Sequence, residues 1–316
     1  MTGFELITMG RVGVDLYPEQ VGLGLEDVTS FSKSLGGSAT NVAVAASRLG
    51  HRVAAITRTG NDPFGRFVRR AVAGFGVDDR YVSAVDGLPT PVTFCEILPP
   101  DDFPIYFYRE PKAPDLEISV DELDFDAIRA ADVFWITLTG LSQEPSREAH
   151  LAALEARSDG EGITVLDLDY RAMFWDSPEQ ASVQAQAALR LVTAAVGNRE
   201  ECEVAVGETE PAAVAKALQG LGVDLAVVKQ GPAGVLGVRG EESVVVPPVR
   251  VDVINGLGAG DAFGGALVHG LLGEWDLTRT LQFANAAGAI VAGEFLCADA
   301  MPSESQVDAV LARGRV

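Results

Sequence analysis

Asn255-Gly-Leu-Gly-Ala-Gly-Asp261 runs directly into the apolar stretch Ala262-Phe-Gly-Gly-Ala-Leu-Val-His-Gly-Leu-Leu272. Glycines at 256, 258 and 260 allow a tight turn and a close approach of backbone to a ligand. A helix beginning there points its unpaired N–H groups, and the positive end of its dipole, at the loop. That arrangement suits negative charge developing on a phosphoryl group. Asp261 falls in the first helical turn, where a carboxylate is stabilised, and from there it could accept a proton from an attacking hydroxyl. The plainer reading is a Gly-rich helix start with Asp261 as its cap.

Outward from this loop the chain alternates strand-like and helix-like runs. Strand candidates are Phe4–Met9, Arg52–Thr57, Val133–Thr137, Ile163–Leu168 and Leu225–Lys229. They are rich in Val and Ile with little alternation, as expected where both sheet faces are buried. Asn41–Leu49, Phe64–Ala73 and Ala212–Leu221 read as helices between them. The pattern predicts βαβ units around a mainly parallel sheet, an α/β fold. Gly258–Leu272, Leu277–Ala292 and Ser303–Ala312 predict three closing helices. Two stretches break the pattern. Gly13–Phe31 is polar and Gly-punctuated, and Val92–Arg109 reads as two strands around Pro99-Pro-Asp-Asp-Phe103. Together they predict a small antiparallel sheet projecting from the core, too small to be stable alone.

The bulk properties narrow the function. A chain of 316 residues fits one large domain with a small appendage or two modest domains, and 47% hydrophobic and 22% charged residues suit a globular enzyme with a sizeable core. A net charge of -21 repels phosphate backbones and anionic lipid, so neither nucleic acid nor a membrane surface is an expected partner. Cys95, Cys202 and Cys297 are odd in number and widely spaced, which predicts reduced thiols rather than a disulfide frame or zinc site. The N-terminal residues show no signal-peptide pattern and no apolar run reaches the length of a membrane span, so the expected location is the cytoplasm.

A second motif lies near the other end of the chain. Leu35–Leu49 reads LGGSATNVAVAASRL, with Gly36-Gly37 followed by Asn41. Taken alone, Gly36-Gly37 is a strand-to-helix turn. Combined with Gly258-Ala259-Gly260-Asp261 it resembles the PfkB (ribokinase-like) carbohydrate kinases, over essentially the whole chain and in the same order. The resemblance implies a three-layer α/β/α core with a mainly parallel sheet. It also implies one kinase domain over residues 1–316, with a small β-sheet lid from about 11–35 and 91–115. It implies ATP and Mg2+ as cofactors and a homodimer formed through the lids. By resemblance Asp261 is the catalytic base and Gly258, Ala259 and Gly260 form the anion hole. Gly36, Gly37, Asn41 and Asp15 meet the sugar. Asn198 and Glu201, in Asn198-Arg-Glu-Glu201, organise magnesium through water. Without the resemblance Asn198 is equally a helix cap. Lys229, Gly231, Gly234 and Gly256 line the nucleotide phosphates, and Asn285 lies near the adenine pocket. One departure stands out: Asn255-Gly256 replaces the usual Asp-Thr, whose Asp commonly helps bind a monovalent cation, so the resemblance does not carry potassium activation over to this chain.

The sugar end is more distinctive. Gly10–Pro18 (GRVGVDLYP) and Pro99–Asp115 (PPDDFPIYFYREPKAPD) look like the branch that phosphorylates 5-dehydro-2-deoxygluconate in myo-inositol breakdown. Such a substrate carries a carboxylate, which a guanidinium grips with two parallel hydrogen bonds. Arg109 and Arg171 resemble arginines that hold the acid in the related 2-keto-3-deoxygluconate kinases. Those kinases are the first alternative, since two arginines do not separate the two acids. Kinases of neutral sugars and a catalytically silent sugar-acid sensor follow. A dinucleotide-dependent oxidoreductase would need G-x-G-x-x-G directly after the first strand, a spacing that Met9-Gly-Arg-Val-Gly-Val-Asp15 lacks.

Overall fold

The computed structural model describes residues 3–99, 102–158, 160–314 and 316. Pro100 and Asp101, at the tip of the expected Pro99–Phe103 turn, lie outside the described residues. The first half of the chain runs β1 (Leu6–Met9), β2 (Gly13–Pro18), β3 (Phe31–Gly36), α1 (Ser38–Arg48), β4 (Val53–Gly60), α2 (Pro63–Gly74), β5 (Val82–Val85), β6 (Val92–Cys95), β7 (Ile105–Tyr108), α3 (Phe125–Ala130) and β8 (Val133–Thr137). It continues as α4 (Ser146–Glu155), β9 (Ile163–Asp167), α5 (Pro178–Leu189), β10 (Ala194–Asn198), α6 (Arg199–Val206), α7 (Pro211–Gly220), β11 (Leu225–Lys229), β12 (Val235–Arg239) and β13 (Glu242–Val246). Three helices close the chain: α8 (Ala259–Leu272), α9 (Leu277–Ala292) and α10 (Glu304–Arg313).

Nine strands form the large sheet in the order β13-β12-β11-β10-β9-β8-β1-β4-β5. All neighbours from β11 to β5 run parallel, and only the β12–β13 hairpin is antiparallel. Successive side chains enter opposite cores, as the strand period of two requires. In β8, Val133 and Trp135 pack with α1, α8 and α9, whereas Phe134 and Ile136 pack with α4, α5 and α7. Helices thus cover both faces, as the continuous apolar strands predict, and give the three-layer arrangement that the resemblance implies. The hairpin lay outside the expected strands, although Val235-Leu-Gly-Val-Arg-Gly240 carries its turn glycine at φ 56°.

The second sheet has the order β3-β2-β6-β7. It is mixed rather than wholly antiparallel: β2 runs parallel to β6, because the long path through β3, α1 and β4 brings the chain back in the same direction. Its strands alternate. Thr93 and Cys95 are buried while Val92 and Phe94 are half-buried, and Ile105 and Phe107 are half-buried while Tyr106 and Tyr108 are exposed. One face therefore turns inward and the other carries Phe31, Phe94 and Tyr108 in edge-to-face contact, with centroids 5.4 Å apart at each step.

Candidate active site

A cavity of about 460 Å³ lies between the inner face of the small sheet and the carboxyl ends of the large sheet's strands. That end is where open parallel sheets place ligands, because each strand hands the chain to a loop and a helix N-terminus there. Asp167, Asp169, Asn198 and Lys229 reach the cavity from the ends of β9, β10 and β11. Gly256, Gly258, Gly260 and Asp261 reach it from the turn before α8, while Thr93, Cys95, Ile105 and Phe107 face it from the small sheet.

Asp261 occupies the first turn of α8 but does not cap it; Gly258 is the N-cap, at φ 80°. A side chain at 258 would also fail sterically, since a Cβ there would stand 2.6 Å from Cys297 Sγ. The Asp261 carboxylate instead accepts hydrogen bonds from Ser38 Oγ to Oδ1 and Asn41 Nδ2 to Oδ2, each 2.8 Å. Ser38 and Asn41 are three residues apart on α1 and so share a helix face. Gly37 makes this approach possible: its φ is +108°, and a Cβ would sit 2.3 Å from the Arg11 carbonyl oxygen. Burial pushes Asp261 up to about 6, against the pull of those two hydrogen bonds. A carboxylate held and tuned this way is ionised at neutral pH yet basic enough to take a proton. The first N–H groups of α8 have no partner within the helix, so the backbone at Gly258–Gly260 offers donors beside it.

At one end of the cavity Asn198 and Glu201 form a capping box for α6: Glu201 N–H donates to Asn198 Oδ1 at 2.9 Å and Asn198 N–H donates to Glu201 Oε2 at 2.7 Å. The cap reading of Asn198 is realised, and both residues still line the cavity. Glu201 keeps Oε1 for Arg171, 3.7 Å away. Arg171 is bound more closely to Asp169 Oδ1 at 2.8 Å. Burial alone would lower the Lys229 ammonium, but Asp167, Glu201 and Asp261 outweigh it and raise its pKa. Burial raises the pKa of Asp167, with Lys229 opposing.

At the other end Asp15 lies on β2. The Tyr17 hydroxyl donates to Asp15 Oδ2 at 3.1 Å and touches Cys297 Sγ at 2.8 Å. Gly36 does not line the cavity, but a Cβ there would stand 2.1 Å from Asp15 Oδ1, so it clears the space that this carboxylate fills. Burial raises the Asp15 pKa.

Four other expected site residues are not brought to the cavity wall. Arg109 is spent on Asp115, with Nη2 2.7 Å from Oδ2, Asp115 buried and Arg109 half-buried, and it stacks on Phe174 at 4.9 Å. Asn285 donates to the Pro247 carbonyl at 2.7 Å. Gly234, at φ +89°, turns the chain into β12 where a Cβ would meet Val246 O at 2.1 Å. Ala259 begins α8 with its side chain off the cavity. Gly231 remains on the wall. Asn255 is fully buried and closes the turn with both ends of its amide, donating to Phe295 O at 3.0 Å and accepting from Leu257 N–H at 3.1 Å.

Several wall residues carried no role in the sequence reading: Arg11, Ser38, Asp167, Asp169 and Cys297. Ser38 was within reach of it, standing one helical turn before Asn41. Asp167 and Asp169 could have been found from their place at a strand's carboxyl end. Cys297 has no local signal, since it arrives from 280 residues beyond Tyr17.

The pfkB family carbohydrate kinase model matches residues 5–304. A 5-dehydro-2-deoxygluconokinase of Shouchella clausii (strain KSM-K16) is 33% identical over 312 residues, covering 98% of this chain and 95% of the relative. The 5-dehydro-2-deoxygluconokinase of Clostridium botulinum (strain Eklund 17B / Type B) is 31% identical over 312 residues, covering 96% and 92%. Among solved structures, a putative Ribokinase II from E. coli in complex with ATP and Mg+2 superposes with a TM-score of 0.89 at 22% identity, over 98% of this chain and 99% of that one. The family match over nearly the whole length, and relatives above 30% identity over nearly the whole of both chains, agree with the sheet order and with the glycine turn before α8. This chain belongs to the PfkB family of carbohydrate kinases.

Proposed function

We propose that the chain is an ATP-dependent kinase that transfers the γ-phosphoryl group of ATP to the terminal hydroxyl of 5-dehydro-2-deoxy-D-gluconate, forming the 6-phosphate. The observation that carries the reading is the Asp261 carboxylate, steadied by Ser38 and Asn41 at the N-terminus of α8 within a cavity bounded by both sheets. The names of the relatives at 31–33% identity support the substrate.

In this reading the sugar acid lies under the small sheet, which acts as a lid, and the nucleotide lies along the ends of β10 and β11. Asp15 and Asn41 hold sugar hydroxyls. Asp261 takes the proton of the terminal hydroxyl, whose oxygen attacks the γ-phosphorus in line, and the N–H groups at Gly258–Gly260 stabilise the charge that develops. Lys229, Gly231 and Gly256 face the phosphates, while Gly234 and Asn285 shape the neighbouring turns. Asn198 and Glu201 would hold Mg2+ through water. Their hard oxygen donors suit that ion, and among the described residues no group of three or more His, Cys, Asp or Glu side chains forms a cage of its own. This fits an ion that keeps most of its water and phosphate ligands. Bound there, magnesium would neutralise phosphate charge.

The outward aromatic face of the small sheet, with Tyr108 65% exposed, supports a homodimer packed lid to lid. The three cysteines are free and buried, which suits a reducing cytoplasm, and no helix among the described residues is long and apolar enough to cross a membrane. The deciding experiment is a substrate panel with purified protein and Mg-ATP. Turnover is expected with 5-dehydro-2-deoxygluconate well above neutral hexoses. A higher kcat/KM on 2-keto-3-deoxygluconate would move the chain to that activity.

A further inference from the structure

The cavity holds a cation whose hydrogen-bonding capacity is unused. Arg11 follows β1, is 8% exposed and lines the wall. The carboxylate that approaches it is Asp169, with Arg11 Nη2 3.8 Å from Oδ2, beyond hydrogen-bond length. Asp169 is already committed through Oδ1 to Arg171 at 2.8 Å. Arg11 Nε is buried with no partner among the described residues, and so is Asp169 Oδ2. The face of Phe107, 5.2 Å from the guanidinium carbon, supports the group without satisfying its N–H donors. A buried guanidinium left without acceptors is costly, and a planar fork of N–H groups matches a carboxylate.

Arg109 is the opposite case. Its Nη2 is already committed to Asp115 Oδ2 at hydrogen-bond length, 2.7 Å, and it stands off the cavity wall. Drawing it to a ligand would leave Asp115 buried and unpaired. Burial raises the pKa of both Asp15 and Asp261 and the Arg11 charge opposes it at each, so Arg11 acts in the part of the cavity where a sugar would lie. We infer that Arg11, and not Arg109, is the residue that grips the carboxylate of the sugar acid. This rests on the acid-kinase reading above and assigns its specificity to a particular side chain.

The test measures wild type, R11Q, R11K and R109Q against 5-dehydro-2-deoxygluconate and its analogue reduced to the alcohol at the carboxyl end, with Mg-ATP binding followed separately by calorimetry. R11Q is expected to raise KM for the acid by about 30-fold or more, the loss typical of removing one partner of an enclosed charge pair. ATP affinity should hold, and the preference for acid over alcohol should disappear. R11K, a point charge without the fork, is expected to raise KM for the acid by a smaller but clear factor. It carries the test if R11Q binds no ATP. R109Q is expected to melt earlier yet keep the preference while folded. An R11Q enzyme that binds ATP and still prefers the acid as wild type does overturns the inference, and so does an R11K enzyme with unchanged KM. Wild type without any preference for the acid overturns the substrate reading itself.

Discussion

The two sheets are built from different sequence patterns, and the contrast shows how the molecule divides its work. The central strands of the large sheet are buried on both faces; β8 contributes Val-Phe-Trp-Ile-Thr with every residue inside. They have nowhere to move, and the residues at their carboxyl ends are correspondingly fixed. The small sheet carries aromatic side chains on both faces but is covered by the protein on one only, and its inner residues, Asp15 and Thr93 among them, meet the cavity. Its position therefore depends on what lies beneath it and on what covers its outer aromatics. In the proposed reading the large sheet sets the chemistry, and the small sheet sets what is admitted to it.

That division can be broken at several points. The largest effect is expected from Asp261→Asn, which removes the proposed base while leaving the large sheet intact: kcat should fall about 10²–10⁴-fold with ATP binding retained. A loss under about tenfold would take Asp261 out of the role. Truncating the doubly covered sheet should instead cost stability. Phe134→Ala, at a fully buried position, is expected to lose about 3–5 kcal/mol in urea unfolding.

A pH series separates chemistry from architecture. With Asp261 raised to about 6, kcat/KM for the acid should fall as pH drops through that value, and the fall should approach about tenfold per unit. The stability effect has the opposite sign. Asp261 binds its proton more tightly folded than unfolded, so between its ordinary carboxylate range and about 6 the native state holds a proton that the unfolded chain releases. Relative to Asp261→Asn, wild type should lose stability as pH rises through that window. A flat difference between the two proteins there would place the titration on another group.

The smallest effects are expected on the small sheet. Gly36→Ala puts a methyl group into the Asp15 carboxylate, 2.1 Å away, and should raise KM for the sugar acid while sparing KM for ATP. Phe94→Ala removes the middle ring of the outer aromatic row. It should cost folding only about 1 kcal/mol or so but weaken self-association measured by sedimentation. Unchanged association would put the dimer contact elsewhere.

The same contrast explains what could be read in advance. Val133–Thr137 and Leu225–Lys229 announce themselves, because a strand buried on both faces has no polar positions to confuse its pattern. β3 does not: Phe31-Ser-Lys-Ser-Leu-Gly36 has little strand propensity, and it is ordered by pairing along its whole length with β2. Asp261 and Asn41 were legible because each sits in a local motif tied to a helix start. Arg11 was written in the same quoted segment as Asp15, yet nothing local distinguishes an arginine that faces a cavity from one that faces water. Arg109 shows the converse, since its partner Asp115 lies only six residues away, but whether that pair closes depends on the packing of Phe174.

The contacts that assemble the site also set its place in the life of the chain. Asn41 meets Asp261 across 220 residues, and Tyr17 meets Cys297 across 280. At ordinary translation speeds of about 5–20 residues per second, roughly 10–40 s separate synthesis of the first member of the Asn41–Asp261 pair from the second. During that interval β1 can pair with β4 and then with β8, while the strand edges beyond them stay open to the wrong partners. The α1 face that will hold the base waits without it. A ribosome that stalls before residue 255 leaves a chain with nearly all of its sheet and none of the glycine turn that leads into α8, so in the proposed reading competence arrives with the last fifth of the message.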